Sequence, residues 1–356
     1  MKPLLGKSEL SRIEEYSSRV ADLRRELSNR IVGQEKVITQ VLAAILSEGH
    51  CLIIGVPGLA KTLLVRSISE LLTLKFSRIQ FTPDLMPSDI TGATLLQDDS
   101  DGVRGFNFMR GPIFSNVILA DEINRTPPKT QAALMEAMEE RQVTTTAGNV
   151  PLERPFFVLA TQNPIEQEGT YPLPVSQMDR FQQSIRIDYP EAAEEMQIVQ
   201  QTTSSYKSTL APILDKESIS DLISLTGKIS ISTMLIDYVS RIVRKTRPGS
   251  EETPSYVKEW VSWGAGPRGV QAVLEGARSL ALMDGRPEVT PDDVHEMCFS
   301  TLRHRMVPTY HAEAEGVDID DVIERILEDM PEGHYKVSGK ETTAAPGFFS
   351  RLLGRS

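Results

Sequence analysis

Cysteine is nearly absent from this chain of 356 residues. Only Cys51 and Cys298 occur, too far apart in sequence to suggest a disulfide framework or a metal-binding spacing. A reducing compartment, the cytoplasm, is the expectation. Long apolar runs are missing as well. No stretch reaches the roughly 18 residues needed to span a bilayer. The N-terminus, MKPLLGKSELSRIEEYSSRV, is too rich in charge for a secretory leader. Dense Lys/Arg runs are also lacking. The formal net charge is −11. That balance argues against sequence-independent nucleic-acid binding, which needs clustered cations to displace counterions. His50, His295, His304, His311 and His334 form no close ligand pair, and no internal repeat is visible.

Hydrophobic residues make up 40% of the chain, enough to bury a sizeable core, and the length suits two or three domains. Leu10, Ile13, Tyr16, Val20 and Leu23 recur at spacings of three and four, predicting a helix from about Ser8 to Leu27. Ile31-Val32-Gly33-Gln34 breaks that pattern before a second helix through Val37, Val41 and Ile45. Four short apolar runs then read as buried parallel strands: Cys51–Ile54, Val117–Ala120, Phe156–Thr161 and Ser184–Ile187, with Arg78–Phe81 a further candidate. Helical stretches at Thr62–Leu72 and Thr130–Arg141 alternate with them, which predicts an α/β domain with a mostly parallel sheet, ending at Pro190. Beyond it the strands stop. Helical patterns at Ala192–Gln201, Ile231–Lys245, Gly269–Met283, Pro291–Leu302 and Ile319–Leu327 predict a smaller all-α domain over residues 191–332. Thr290-Pro291-Asp292-Asp293 is a strong helix start, with a Thr cap, Pro at the first position and acids in the first turn. Residues 333–356 read as a flexible tail. Its end, Phe348-Phe349-Ser350-Arg351-Leu352-Leu353, suits docking on a partner or membrane surface, or packing back on its own domain.

The octapeptide Gly55-Val56-Pro57-Gly58-Leu59-Ala60-Lys61-Thr62 lies between a predicted strand and a predicted helix. It nearly matches a phosphate-binding loop, with Ala60 where the usual pattern has Gly before Lys. Such a loop works through backbone N–H groups that cradle a phosphate, aided by the positive end of the following helix. Ala is the mildest departure from Gly. Lys61 suits the β- and γ-phosphates, and Thr62 suits Mg²⁺. The competing reading is a plain strand–turn–helix connection with a surface Lys. Val117-Ile118-Leu119-Ala120 ends at Asp121-Glu122, and ligands of doubly wound sheets bind at strand C-terminal ends. Asp121 suits Mg²⁺, and Glu122 suits activation of a water. Their alternative is solvated charge closing a strand. Ala160-Thr161-Gln162-Asn163-Pro164 again follows an apolar strand, either as a polar amide between loop and acids or as a Pro-containing turn.

Together these motifs resemble the MoxR family of AAA+ ATPases. GVPGLAKT is similar to that family's own form of the loop, Ala included. The resemblance extends over Ile31–Glu35, LADEINRTPPKTQAALMEAMEE (119–140), ATQNP, EGTYPLPVSQMDRF (168–181) and GPRG (266–269), roughly residues 28–330. It implies a three-layer αβα AAA+ domain over residues 28–190, after an N-terminal helix (1–27) and before a helical lid. It implies ATP and Mg²⁺ as cofactors. Lys61 and Thr62 would be the Walker A pair, within a nucleotide-binding run of Gly55, Pro57, Gly58, Leu59, Ala60, Lys61, Thr62 and Leu63. Asp121 and Glu122 would be Walker B, with Thr62 and Asp121 on the metal. Asn163 would be sensor 1, Arg268 sensor 2, and Val32 and Gly33 part of the adenine pocket. Arg180 resembles the arginine finger acting on a neighbouring subunit, with Arg125 a second interface candidate. From its residues alone, Arg180 equally reads as a surface side chain or a partner of Asp179.

Residues 86–112 resemble the helix-2 insert, whose Phe106, Phe108 and Met109 suit contact with a client protein or a plain hairpin with one buried face. Thr144–Pro155 resembles the hairpin before sensor 1. The family likeness implies a homo-oligomer, a hexameric ring, that remodels or matures a protein client or inserts metal or cofactor into it. It implies a partner carrying a von Willebrand factor A domain. A nucleotide-gated scaffold with little turnover and a nucleic-acid motor are the alternatives. Glu122 counts against the first, and the net charge against the second.

Overall fold

A computed structural model describes residues 5–98, 104–145, 148–165, 169–203 and 210–330, leaving the side chains of 96–98, 104–106 and 202 undescribed. The tail from residue 333, and with it the Phe348–Leu353 segment, lies outside the described residues, as does part of the 86–112 insert. The chain divides into two compact units. One runs from Glu14 to Thr226; the other comprises the residues before Glu14 and those from Gly227 onward.

The first unit holds most of α1 (Lys7–Arg30), α2 (Glu35–Leu46), β1 (Cys51–Gly55), α3 (Lys61–Leu71), β2 (Phe76–Gln80), α4 (Pro87–Thr91), β3 (Gly92–Asp98), β4 (Arg104–Arg110), β5 (Val117–Asp121), α5 (Pro128–Glu140), β6 (Gln142–Thr145), β7 (Gly148–Pro151), β8 (Phe157–Gln162), α6 (Val175–Met178), β9 (Gln183–Ile187), α7 (Ala192–Thr203) and α8 (Lys216–Thr226). Five strands form one sheet in the order β2-β5-β8-β1-β9, and every pairing in it is parallel. β1, β5 and β8 are buried along almost their whole length. Both sheet faces are therefore covered, which is why these strands read as continuous apolar runs rather than alternating ones. The architecture is the three-layer αβα arrangement.

One feature of this unit departs from the expected outline. The unit extends past Pro190 to Thr226, because α8 buries Ile219, Leu222 and Leu225 and packs against α2. The segment before α8 is anchored too: the Ile213 and Leu214 N–H groups donate to the Leu71 carbonyl at 2.9 and 3.1 Å. Within the insert, β3 and β4 pair antiparallel from Gly92↔Arg110 to Asp98↔Arg104. Phe108 lies edge-on to Phe114, ring centroids 5.8 Å apart, while Met109 is exposed. The hairpin reading thus holds for Phe108; the Phe106 side chain lies outside the described residues.

The second unit contains α9 (Thr233–Lys245), α10 (Ser255–Trp260), β10 (Val261–Trp263), α11 (Pro267–Met283), α12 (Pro291–Leu302), β11 (Val307–Pro308), α13 (Tyr310–Glu315) and α14 (Ile319–Glu328). Its core is apolar helix faces, including Val239, Ile242, Val273, Ala277, Val294, Met297, Val322 and Ile326. α12 starts where the sequence predicts, with the Thr290 N–H donating to the Asp293 carboxylate at 2.8 Å. The expectation of no further strands is corrected by a small antiparallel ribbon of β10 and β11. Among the described residues no helix is long and apolar enough to cross a membrane.

Candidate nucleotide site

In a parallel sheet all strands end on one edge, so strand order decides which loops meet. β8 lies between β1 and β5. The loop after β1, the acids ending β5 and the residue following β8 are therefore neighbours. They line one cleft of about 470 Å³, walled by Pro57 to Leu63 together with Arg78, Asp121, Glu122 and Asn163. Of the predicted nucleotide-binding run, only Gly55 stands outside this lining; it ends β1 beneath it.

The loop's backbone explains its residues. Gly58 has φ +88°, a conformation open to glycine and costly for other residues. A Cβ on Gly55 would lie 2.8 Å from the Ile187 carbonyl oxygen on β9, so glycine is required there for close strand packing. Ala60 sits immediately before α3 in the left-handed region, with φ 54° and ψ 18°. Glu122, the first residue beyond β5, is left-handed as well, with φ 57° and ψ 50°. Five non-glycine residues have positive φ among those described, and two of them line this cleft. Such strain concentrates where surrounding structure holds the backbone for a purpose.

The first turn of α3 begins at Lys61, and first-turn N–H groups of a helix have no intrahelical acceptor. They face the cleft with the positive end of the helix dipole. The Lys61 ammonium donates to the Gly55 carbonyl. Burial pushes its pKa down, and the charges of Asp121 and Glu122 oppose that shift.

The two acids are held by a network that the sequence did not announce. Thr161, a buried residue of β8, donates its hydroxyl proton to Asp121 Oδ1 at 2.6 Å and accepts the Glu122 N–H at 2.8 Å. Arg78 on β2 donates to Asp121 Oδ2 from Nη2 at 2.6 Å and from Nε at 3.1 Å. The same Nη2 reaches Gln80 Oε1 at 2.6 Å. Gln80 donates in turn to Glu122 Oε2 at 2.9 Å, and Arg125 pairs with that oxygen at 3.0 Å. The register of β2 on β5, with Gln80 opposite Asp121, brings these side chains together. Arg78, Gln80 and Thr161 were legible only as strand residues. Their signal, polar side chains at the ends of otherwise apolar strands, is weak without the strand order.

The remaining predicted residues divide. Asn163 is buried in the cleft wall, its Oδ1 accepting the Ile165 N–H at 3.2 Å. Val32 and Gly33 do not line the cleft, but the Gln34 side chain beside them donates to the Leu59 carbonyl at 3.4 Å and ties that stretch to the loop. The Glu194 carboxylate lies directly against Gly33. Arg180 is outside the cleft lining. It pairs with Glu139 on α5 at 2.7 Å, a partner other than Asp179. Arg268 belongs to the second unit, in the first turn of α11.

The donor set suits Mg²⁺, which takes hard oxygen ligands: the Thr62 hydroxyl and the Asp121 carboxylate open onto the same cleft. Among the described residues, no group of three or more His, Cys, Asp or Glu forms another metal site.

Comparison with known proteins agrees with this geometry. Residues 50–183 match the ATPase family associated with various cellular activities (AAA), and residues 255–326 match the AAA lid domain. The chain is 43% identical over 308 residues to the chaperone MoxR1 of Mycobacterium tuberculosis, covering 85% of this chain and 79% of that protein. It is 39% identical over 328 residues to the uncharacterized protein YeaC of Bacillus subtilis, covering 92% and 94%. A crystal structure of a candidate ATPase from Cytophaga hutchinsonii superposes with a TM-score of 0.84 at 36% identity, covering 94% of this chain and 99% of that one. Likeness of that degree over nearly the whole length, with the nucleotide loop and acids in place, makes this chain an ATP hydrolase that belongs to the MoxR family of AAA+ ATPases.

Proposed function

We propose that the cleft between α3 and the ends of β5 and β8 hydrolyses ATP to ADP and phosphate, and that turnover drives remodelling of a protein client. The observation that supports this most directly is the convergence of Lys61, Thr62, Asp121, Glu122 and Asn163 on one cleft. The α3 N-terminus and Lys61 bind the phosphates. Thr62 and Asp121 would hold Mg²⁺, which would supply positive charge against that developing on the phosphates. Glu122 orients a water and takes its proton, and Asn163 helps fix that water opposite the leaving group. Val32 and Gly33 border the adenine, and the family likeness assigns Arg268 the role of sensor 2.

Arg180 lies outside the cleft that its own chain supplies, which favours action on a neighbouring subunit's ATP after release from Glu139. An arginine supplied in that way contributes about 10³–10⁵ in rate. The assembly this requires is a ring, for which six subunits is the family's number, with a von Willebrand factor A domain protein as partner. The name of the Mycobacterium tuberculosis relative, a chaperone, supports the client-directed reading.

The test is the steady-state ATPase rate against protein concentration, for wild type and Glu122→Gln, together with mixtures of Arg180→Ala and Lys61→Ala subunits. Specific activity that rises with concentration, is lost in Glu122→Gln and is partly restored by mixing supports a shared site. Activity independent of concentration, or untouched by Arg180→Ala, refutes the trans assignment. Nucleotide binding with negligible turnover in every assembly state favours a nucleotide-gated scaffold.

A further inference from the structure

We propose that Arg78 is a resident counter-ion that competes with the divalent metal for Asp121, and so sets the metal concentration at which the cleft loads. The inference rests on the nucleotide-site reading above.

Three observations carry it. Arg78 engages Asp121 Oδ2 twice, from Nη2 at 2.6 Å and Nε at 3.1 Å. Asp121 Oδ1 is already used, because Thr161 donates to it at 2.6 Å. Oδ2 is the oxygen that Thr161 leaves open, and it is the one the guanidinium covers. Second, Arg78 is itself part of the cleft wall and is half exposed, while the Asp121 side chain is only 14% exposed. The guanidinium can swing toward solvent; the carboxylate, held by Thr161, cannot follow. Third, Gln80 Oε1 holds Nη2 at 2.6 Å, so the cation is steered onto the carboxylate by a second acceptor rather than resting there as a loose surface pair.

The consequence is a competition between two cations for one carboxylate. A charge-assisted pair with a mostly buried carboxylate is stronger than an exposed one, and its half-exposed partner limits the gain. Removing the guanidinium should therefore tighten metal binding by about three- to tenfold. Nucleotide affinity at saturating metal should stay near wild type, because Arg78 then no longer contends for Asp121. A general packing defect would instead weaken both.

The experiment compares wild type, Arg78→Gln and Arg78→Lys in two measurements. Mn²⁺ binding to nucleotide-free protein is read by electron paramagnetic resonance. Binding of a fluorescent N-methylanthraniloyl-ADP is titrated with Mg²⁺. Expected is a lower half-saturating Mn²⁺ and Mg²⁺ concentration in Arg78→Gln, with Arg78→Lys between it and wild type, because lysine keeps the charge but loses the two-point contact. An unchanged or raised metal requirement in Arg78→Gln overturns the proposal. Thermal melting accompanies each variant, and if Arg78→Gln does not fold, the Arg78→Lys comparison decides alone. Lys61→Ala separates the two readings: if wild type and Lys61→Ala bind the fluorescent nucleotide equally, the nucleotide-site assignment fails and the competition falls with it. If only Lys61→Ala loses binding and the Arg78 variants match wild type, the competition alone is wrong.

Discussion

Ala60 offers the sharpest test of the loop's geometry. Its backbone is left-handed, which costs an L-residue with a Cβ roughly 1–2 kcal/mol relative to the right-handed form. Its side chain is exposed, so packing contributes little to the balance. Replacing Ala60 by Gly removes that strain, but gives the unfolded chain more freedom, an opposing effect of about 0.4–1 kcal/mol. The net change is then between about zero and 1.6 kcal/mol of stabilisation. In a unit of this size, 1 kcal/mol corresponds to roughly 2–4 °C in melting temperature. Ala60→Val should do the opposite. A β-branched residue at positive φ is a genuine outlier, and about 1–3 kcal/mol of destabilisation follows. Urea unfolding and melting of the two variants, with nucleotide binding measured in parallel, check the pair. Gly should leave binding within about threefold, since the loop's conformation is open to it. A loss of more than about 1 kcal/mol in Ala60→Gly, or an Ala60→Val variant as stable as wild type, would refute the left-handed assignment.

Three further outcomes follow from neighbouring geometry. Gly55→Ala places a Cβ 2.8 Å from the Ile187 carbonyl oxygen and should destabilise the sheet by about 1–3 kcal/mol in urea unfolding; a neutral result would mean that β1 and β9 are farther apart. Thr161→Val keeps the side chain's shape but frees Asp121 Oδ1 and the Glu122 N–H, so turnover should fall about 10- to 100-fold with a smaller change in KM, and equal loss in both would point to general damage. His50 is buried, donating from Nε2 to the Met138 carbonyl and accepting the Val158 N–H at Nδ1, and burial pushes its pKa down from 6.5 to about 4. The unfolded chain therefore takes a proton that the folded chain refuses. Stability is full above about pH 6.5 and should drop by about 2 kcal/mol by pH 5, with the dependence flattened in His50→Gln.

The sequence carried the strands that matter because burial on both faces writes them as unbroken apolar runs. Cys51–Gly55, Val117–Asp121 and Phe157–Gln162 were all visible in that way. So were the groups at their ends, since polar residues closing an apolar strand stand out. What the sequence could not carry was adjacency. Nothing in chain order says that β8 separates β1 from β5, or that Gln80 lies opposite Asp121. Arg78, Gln80 and Thr161 were consequently invisible as site residues. The β10–β11 ribbon escaped for a different reason: strands of three and two residues are too short to express a period of two. α8 was missed although Ile219, Leu222 and Leu225 recur at spacings of three.

The same network resolves an apparent conflict between the whole chain and its site. A protein of net charge −11 is a poor general attractor of polyanions, and the cleft places two acids side by side. Yet Lys61 lies beside both acids, Arg78 on Asp121, and Arg125 on Glu122. Each carboxylate thus has a cation against it that offsets its charge, before the dipole of α3 is added. Within a Debye length of about 8 Å at physiological salt, these near charges outweigh the distant acidic surface. Local sign, set by which strands are neighbours, therefore decides what the cleft accepts, while the global charge acts mainly on what the rest of the surface repels.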